Sequence, residues 1–264
     1  MSDDFGDRMK LYEQVEAGRK AMPLLPIIIR LDGKGFSKWT KGLERPYDTR
    51  LSDIMVEVTE FLVDQLDARI GFTESDEISL VLYSDDIKKE VFYNGKIQKL
   101  VSVSASMATA IFNLRSQGVF DKPVAFFDSR VWTVPNLAEA ANAILWREQD
   151  ATKNSISMAA RCYYSHKELQ NKNGAEMQEM LFQKGVNWND YPSFFKRGTF
   201  VQRRKEKKKF SVDEIEKLPK QHAARKDPNL EIERSVIRRL DMPKFSSVTN
   251  RVGVIFNGED PIID

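Results

Sequence analysis

The stretch Pro26-Ile27-Ile28-Ile29-Arg30-Leu31 constrains this chain more than any other. Its β-branched side chains favour extended backbone, and a short apolar run without alternation reads as a strand buried on both faces. The run stops at Asp32-Gly33-Lys34-Gly35, where the glycines permit a turn. Such a strand needs helices on its faces and further strands at its sides.

The rest of the sequence supplies them. Residues 8–21 predict a short helix ending before Pro23 and Pro26, and residues 49–68 place Leu51, Ile54, Met55, Val58, Leu62 and Leu66 at helical spacing. Residues 69–73 and 78–83 read as two strands joined by Glu74-Ser75-Asp76-Glu77, a hairpin with an acidic tip. A polar loop over 84–96 leads to an Ala/Ser/Met-rich helix over 97–114, and 124–132 is strand-like. Asn136 opens a helix running through Trp146-Arg147, and a further helix starts near Asn154. This β-α-ββ-α-β-α order predicts an α/β (α+β) architecture of ferredoxin-like layers with a mixed sheet and flanking helices. Beyond Gly198 charge replaces pattern. Ser211-Val212-Asp213-Glu214 fits a capping box opening a short helix, and Pro219 and Pro228 punctuate the chain after it. The expected division is a catalytic domain over 1–200 and a basic extension over 201–264, packed on the core.

Composition narrows the chemistry. A single cysteine, Cys162, and two histidines, His166 and His222, are too few for a Cys/His zinc cage or an internal disulfide. Any metal must therefore be held by carboxylates. No stretch approaches the roughly 18 apolar residues of a membrane span, and the first ten residues lack the layout of a signal peptide, so a cytoplasmic location is expected. The net charge of +2 conceals an asymmetry: residues 196–251 carry 17 Lys+Arg against 8 Asp+Glu. An acid-leaning body with a basic C-terminal part suits a polyanionic partner, although a solvated charged face would read the same way.

Asp32 ends a buried strand, where a carboxylate projects into the crevice at the sheet edge, and Gly33 lets its own carbonyl approach a bound ion. An ordinary Asp-Gly turn is the plainer reading, as a solvated turn is for Ser75-Asp76-Glu77. If the hairpin lies beside the first strand, however, Asp32 and Asp76 converge. Oxygen-only ligation suits Mg²⁺, and two such ions can clamp the attacking and leaving oxygens of a phosphoryl displacement. Strand-Asp-Gly, helix, hairpin-Asp is the layout of polymerase and cyclase palm domains.

The residues 26–36, Arg45-Pro46-Tyr47-Asp48, and Gly71 through Ser79 together resemble the tRNA-histidine guanylyltransferase superfamily of 3′-to-5′ polymerases. Phe127-Asp128-Ser129-Arg130-Val131, Trp146-Arg147, Asn187-Trp188-Asn189 and Lys196-Arg197-Gly198-Thr199 continue the resemblance in order, over roughly residues 8–200. It implies a palm that works in reverse: ATP adenylylates the 5′-monophosphate of a tRNA, and the 3′-hydroxyl of an incoming nucleotide such as GTP displaces AMP. It further implies Asp32 and Asp76 as catalytic ligands of two Mg²⁺ ions with the Gly33 carbonyl, and Glu77 beside them as a tuning group. Lys34, Gly35, Phe36, Arg45, Asp48, Ser75, Lys96 and Lys99 match nucleotide-binding positions, and a homotetramer is implied. The family's His-Ile-Asn-Asn-Leu-Tyr-Asn motif is absent after Trp146-Arg147, with Thr152 in place of its histidine, and Ser37 stands where histidine is frequent. These departures resemble the bacterial and archaeal branch, which repairs 5′-truncated tRNAs by templated addition.

The basic part then acquires a use. Lys196, Arg197, Arg203, Arg204, Lys205, Lys207, Lys208 and Lys209 are candidates for contacts with tRNA phosphates. Trp188, Tyr191, Phe194, Phe195 and Phe200 could stack on a terminal base pair or belong to the core. Two other functions stay open: a palm-domain cyclase acting on free nucleotides, and a non-catalytic RNA-binding chaperone.

Overall fold

The computed structural model describes residues 4–227 and 229–263. In chain order the elements are α1 (Asp4–Ala17), β1 (Ile27–Gly33), the single turn α2 (Phe36–Trp39), α3 (Thr49–Gln65), β2 (Ile70–Glu74), β3 (Glu77–Leu82), α4 (Ile97–Ser116) and β4 (Phe127–Thr133). They continue as α5 (Leu137–Ala160), α6 (His166–Leu169), α7 (Gly174–Gln183), α8 (Ser193–Arg197), β5 (Thr199–Lys209), α9 (Val212–Lys217), α10 (Ala223–Lys226), β6 (Glu231–Leu240) and α11 (Arg251–Asn257). The isoleucine run is β1, and Ile27, Ile28, Ile29 and Leu31 are all buried.

The described strands form one sheet of order β4-β1-β3-β2-β5-β6. Every pairing in it is antiparallel, which corrects the expectation of a mixed sheet. The helical crossovers do join parallel strands, but an antiparallel strand fills the gap each time: β3 lies between β1 and β2, and β1 lies between β3 and β4. This is the split β-α-β arrangement of ferredoxin-like layers.

Alternation sorts the side chains into two cores. Ile27, Ile29 and Leu31 of β1 meet Leu62 of α3 and Phe112 of α4. Ile28 on the opposite face joins Ile70, Phe72 and Val81 under Ile144 of α5 and Val254 of α11. Successive strand residues point to opposite faces, so Arg30 and Asp32 share the α5 side with Ile28.

Two further corrections concern continuity. The two helices expected around residues 136–147 and from 154 are one 24-residue helix, α5. The polar run Glu148-Gln149-Asp150 resembles a loop in sequence, yet Arg147 and Glu148 are buried and bonded to distant elements. The region beyond Gly198 is likewise more than a short helix on the core. β5 pairs with β2 only over Thr199–Val201, then continues with β6 through ten registered pairs as a two-stranded ribbon. The sheet thus runs across residue 200 without interruption. The capping box at Ser211 and Glu214 is present and opens α9, whereas Pro228 lies outside the described residues. The ribbon is anchored at its root by Gln202, 2% exposed, whose Nε2 lies 2.9, 2.8 and 2.9 Å from the carbonyls of Arg69, Val254 and Ile255. Among the described residues no helix is long and apolar enough to cross a membrane.

Candidate active site

Asp32 is the last side chain of β1 on the α5 face and stands in register between Glu77 of β3 and Asp128 of β4. Beside it, β2 and β3 turn through Ser75 and Asp76, with Ser75 at a positive φ of 50°. The Gly33 N–H donates to the Asp76 carbonyl at 3.1 Å, tying the two acidic turns together. A Cβ at Gly33 would collide with the ring of Phe36, so a small residue is required there. The convergence expected of Asp32 and Asp76 is thus built by backbone.

Among the described residues no ion pair is formed by Asp76. Burial, followed by the negative charge of Asp32, pushes the Asp76 carboxyl up to about 6. Ser75 Oγ donates to Asp76 Oδ1 at 3.1 Å. Glu77, by contrast, is fully engaged: Arg147 of α5 donates to it twice, at 2.5 and 2.8 Å, and the Arg30 Nε lies 4.0 Å away. Burial raises the Glu77 carboxyl, and Arg147 works against that rise. Among the described residues Asp32 forms one ion pair, with Arg130 at 3.8 Å, and the same guanidinium lies 3.7 Å from Asp128. Two unshared carboxylates with a backbone carbonyl suit a hard divalent cation, and like-charge repulsion is what such an ion would relieve. Among the described residues no group of three or more His, Cys, Asp or Glu forms a metal cage. An ion between Asp32 and Asp76 would therefore complete its shell from water or phosphate oxygens.

Sequence reasoning gave two contributors, Glu74 and Arg147, no role, and it named Arg130 only as a structural partner of Asp128. Glu74 is driven up to about 7 by burial and then by Glu77, and it accepts from Asn154 of α5 at 3.3 Å. Arg147 belonged to a recognised dipeptide but received no role, because its partner lies 70 residues away. Asp128 and Arg130 gain theirs from the register of β4 on β1. The signal available for them was the matching Arg-x-Asp and Asp-x-Arg alternation of these two strands.

The other predicted nucleotide contacts divide. Lys34 follows the acidic turn, its N–H donating to Phe126, and Gly35 supplies a positive φ of 68°. The Phe36 ring is buried against Trp39, Phe112 and Phe127, so it serves the core. Asp48 caps α3, accepting from the Arg50 N–H at 3.1 Å and from its guanidinium at 3.0 and 2.7 Å. Those bonds hold its carboxyl below the usual range despite its burial. Arg45 is exposed near Cys162. Lys96 and Lys99 line a groove with Lys10 and Lys20 between α1 and α4. That groove lies at the Ile27 end of β1, roughly 17 Å from Asp32 at the rise of a strand. One chain does not bring these two lysines to the carboxylates.

The basic segment is also more committed than its sequence suggests. Arg203 bonds to Asp64 at 2.7 Å, and Arg204 holds the carbonyls of Gly258 and Glu259. Lys205 pairs with Glu233 at 2.8 Å and Lys208 with Glu214 at 3.0 Å. Lys209 reaches Asn229, and Lys196 donates to the Asn189 carbonyl. Arg197 meets Ser193 at 3.4 Å, while Lys207 is exposed and forms no ion pair among the described residues. The aromatic group resolves toward packing. Phe195 and Phe200 are buried, Tyr191 and Phe194 pack around Tyr47, and Trp188 donates to Ser155 at 3.2 Å.

An antiparallel palm carrying paired carboxylates on adjoining turns defines a nucleotidyltransferase of the palm class. The tRNAHis guanylyltransferase family model matches residues 6–135. A bacterial tRNA(His) guanylyltransferase-like protein, solved with ATP, superimposes with a TM-score of 0.72 at 40% identity, over 76% of this chain and 87% of that one. A bacterial relative solved with GTP does so with a TM-score of 0.72 at 34% identity, over 92% and 94%. The tRNA(His) guanylyltransferase of Schizosaccharomyces pombe is 28% identical over 235 residues, 80% of this chain and 88% of the yeast protein. This chain belongs to the tRNA(His) guanylyltransferase family.

Proposed function

We propose that the chain extends the 5′ end of tRNA in the 3′-to-5′ direction, as a Mg²⁺-dependent enzyme using ATP to activate the end and a nucleoside triphosphate to lengthen it. The single observation carrying this reading is the pair Asp32 and Asp76, joined through the Gly33 N–H and left with unrelieved mutual repulsion. Asp32, Asp76 and the Gly33 carbonyl would hold the Mg²⁺, two ions in the full site. When bound, these ions neutralise charge and orient oxygens around the reacting phosphorus. The chain's own residues do the rest. Glu77 and Arg147 brace the hairpin, Ser75 fixes the Asp76 carboxylate, and Lys34 stands beside the turn to meet nucleotide phosphate. Such positioning and charge compensation are what phosphoryl transfer chiefly asks of a protein.

Templated repair is favoured over obligatory addition of one guanylate. Thr152 occupies the place of the family's histidine, and its hydroxyl is bonded to the Glu148 carbonyl within α5. Residues 1–200 form the catalytic unit in this reading and 201–264 the RNA-contacting extension, in which Lys207 is exposed and forms no ion pair among the described residues. A homotetramer would cover the apolar side chains that α1 leaves exposed, among them Phe5, Tyr12 and Val15. The cytoplasm, where tRNA is used, is the expected location.

Asp32→Ala and Asp76→Ala should each abolish incorporation of labelled nucleotide while leaving folding and tRNA binding intact. Retained incorporation in either variant would overturn the reading. Offering 5′-truncated and full-length tRNAs one nucleotide at a time separates its finer part, since addition set by the opposing base means repair and addition of G alone to tRNA-histidine means the narrower activity.

A further inference from the structure

A second cleft opens beside the carboxylates, between the edge strand β4 and the first half of α5. Arg30, Arg130, Trp132, Glu139, Asn142 and Trp146 line it; it is shallow and open to solvent, with a volume of about 510 Å³. Trp146 is 49% exposed. Two guanidiniums lie against its indole, Arg147 at 4.5 Å and Arg30 at 5.5 Å from the ring centre, contacts that favour one placement of the ring. Arg30 stands behind the ring with its Nε 4.0 Å from Glu77 and without a hydrogen-bond partner among the described residues. Arg130 lies 3.8 and 3.7 Å from Asp32 and Asp128, beyond hydrogen-bond reach, which leaves its donors uncommitted. The cleft is therefore continuous with the acidic pair through Arg130 and offers an aromatic face together with two guanidiniums.

We propose that this cleft seats the 5′-terminal nucleotide of the RNA strand, its base stacked on Trp146 and its phosphate between Arg30 and Arg130. Base-on-indole stacking tolerates any sequence, and a planar guanidinium matches a phosphate oxygen pair. Asn142 donates to Glu139 at 2.9 Å, leaving its own carbonyl oxygen to accept from a base edge. The inference rests on the proposed tRNA activity and adds to it the place where the activated end is held.

The test uses the full-length protein and a tRNA carrying 2-aminopurine as its 5′-terminal base, titrated in the presence of EDTA so that binding is read without turnover. Binding should quench the fluorescence. Trp146→Ala should remove most of the quench and weaken tRNA binding by roughly 5- to 100-fold, Trp146→Phe should restore most of both, and the KM for each nucleoside triphosphate should stay unchanged. An unaltered quench and affinity in Trp146→Ala would overturn the subsite alone, as would a raised nucleotide KM with tRNA binding intact, which marks a free-nucleotide pocket. Wild-type protein that binds no tRNA at all would overturn the proposed function and the subsite with it.

Discussion

The palm face and the β5–β6 ribbon use charge in opposite ways. The ribbon is crowded with it, yet most of its ions are matched: Arg238 with Glu206 at 2.6 Å, Lys205 with Glu233 at 2.8 Å, Arg239 with Glu60 at 2.7 Å. The palm face sets both signs close together and leaves some unrelieved: burial and then Asp32 push the Asp76 carboxyl up, and the Arg30 Nε is buried without a hydrogen-bond partner among the described residues. Density of charge along a sequence thus says where solvent is, while unrelieved charge in three dimensions says where a ligand is wanted. Exposed pairs contribute little because water screens them, whereas buried ones are costly to break.

That contrast can be broken at its strongest point first. Arg147→Ala leaves Glu77 buried without its partner and should cost about 3 kcal/mol of stability, read as a shift in the urea midpoint; a loss under about 1 kcal/mol would place the pair with the surface ones. On the ribbon, Arg238→Ala should leave the thermal midpoint within error, and a clear drop would show that its ion pairs carry the fold. Lys207→Gln should weaken tRNA binding evenly across sequences and lower the slope of log affinity against log salt by about 1; an unchanged slope would remove this lysine from the interface.

Glu148 supplies the smallest and most diagnostic effect. It is 1% exposed, accepts from the Phe245 N–H at 2.8 Å, and burial raises its carboxyl above the ordinary value. The folded protein therefore keeps this proton to higher pH than the unfolded chain does, and stability contributed by the protonated form is lost as pH rises from about the unfolded value of 4.3 through the folded one. Glu148→Gln keeps the acceptor and discards the charge. It should flatten that part of the stability profile and melt slightly higher than wild type near neutrality, with an unchanged profile counting against the assignment.

Much of the framework was legible because it is local. The Ile27–Leu31 run, the helical spacing from Leu51 to Leu66 and the alternating hairpin each declare themselves within a dozen residues. What escaped was long-range. The Lys-Glu-Lys-Lys-Lys stretch of β5 shows no apolar alternation, and it is a strand because β6, thirty residues on, lies in register with it. The unbroken α5 was hidden likewise: Arg147 and Glu148 look like solvent residues until Glu77 and Phe245 are placed beside them. Asp32 and Asp76 were named from two turns and a topology, and Arg30 as a phosphate candidate, whereas the grouping of Arg30, Arg130 and Trp146 in one place needed the register of the edge strand.

Gln202 gives the ribbon a mechanical character. Its amide clamps the root to β2's approach and to α11, while the far end runs free of the sheet, so the two strands behave as a cantilever with one fixed support. Its root at Thr199–Val201 borders β2, and Glu74, at the threshold of the acidic hairpin, ends that same strand. The arm and the hairpin are thus neighbours along a single strand.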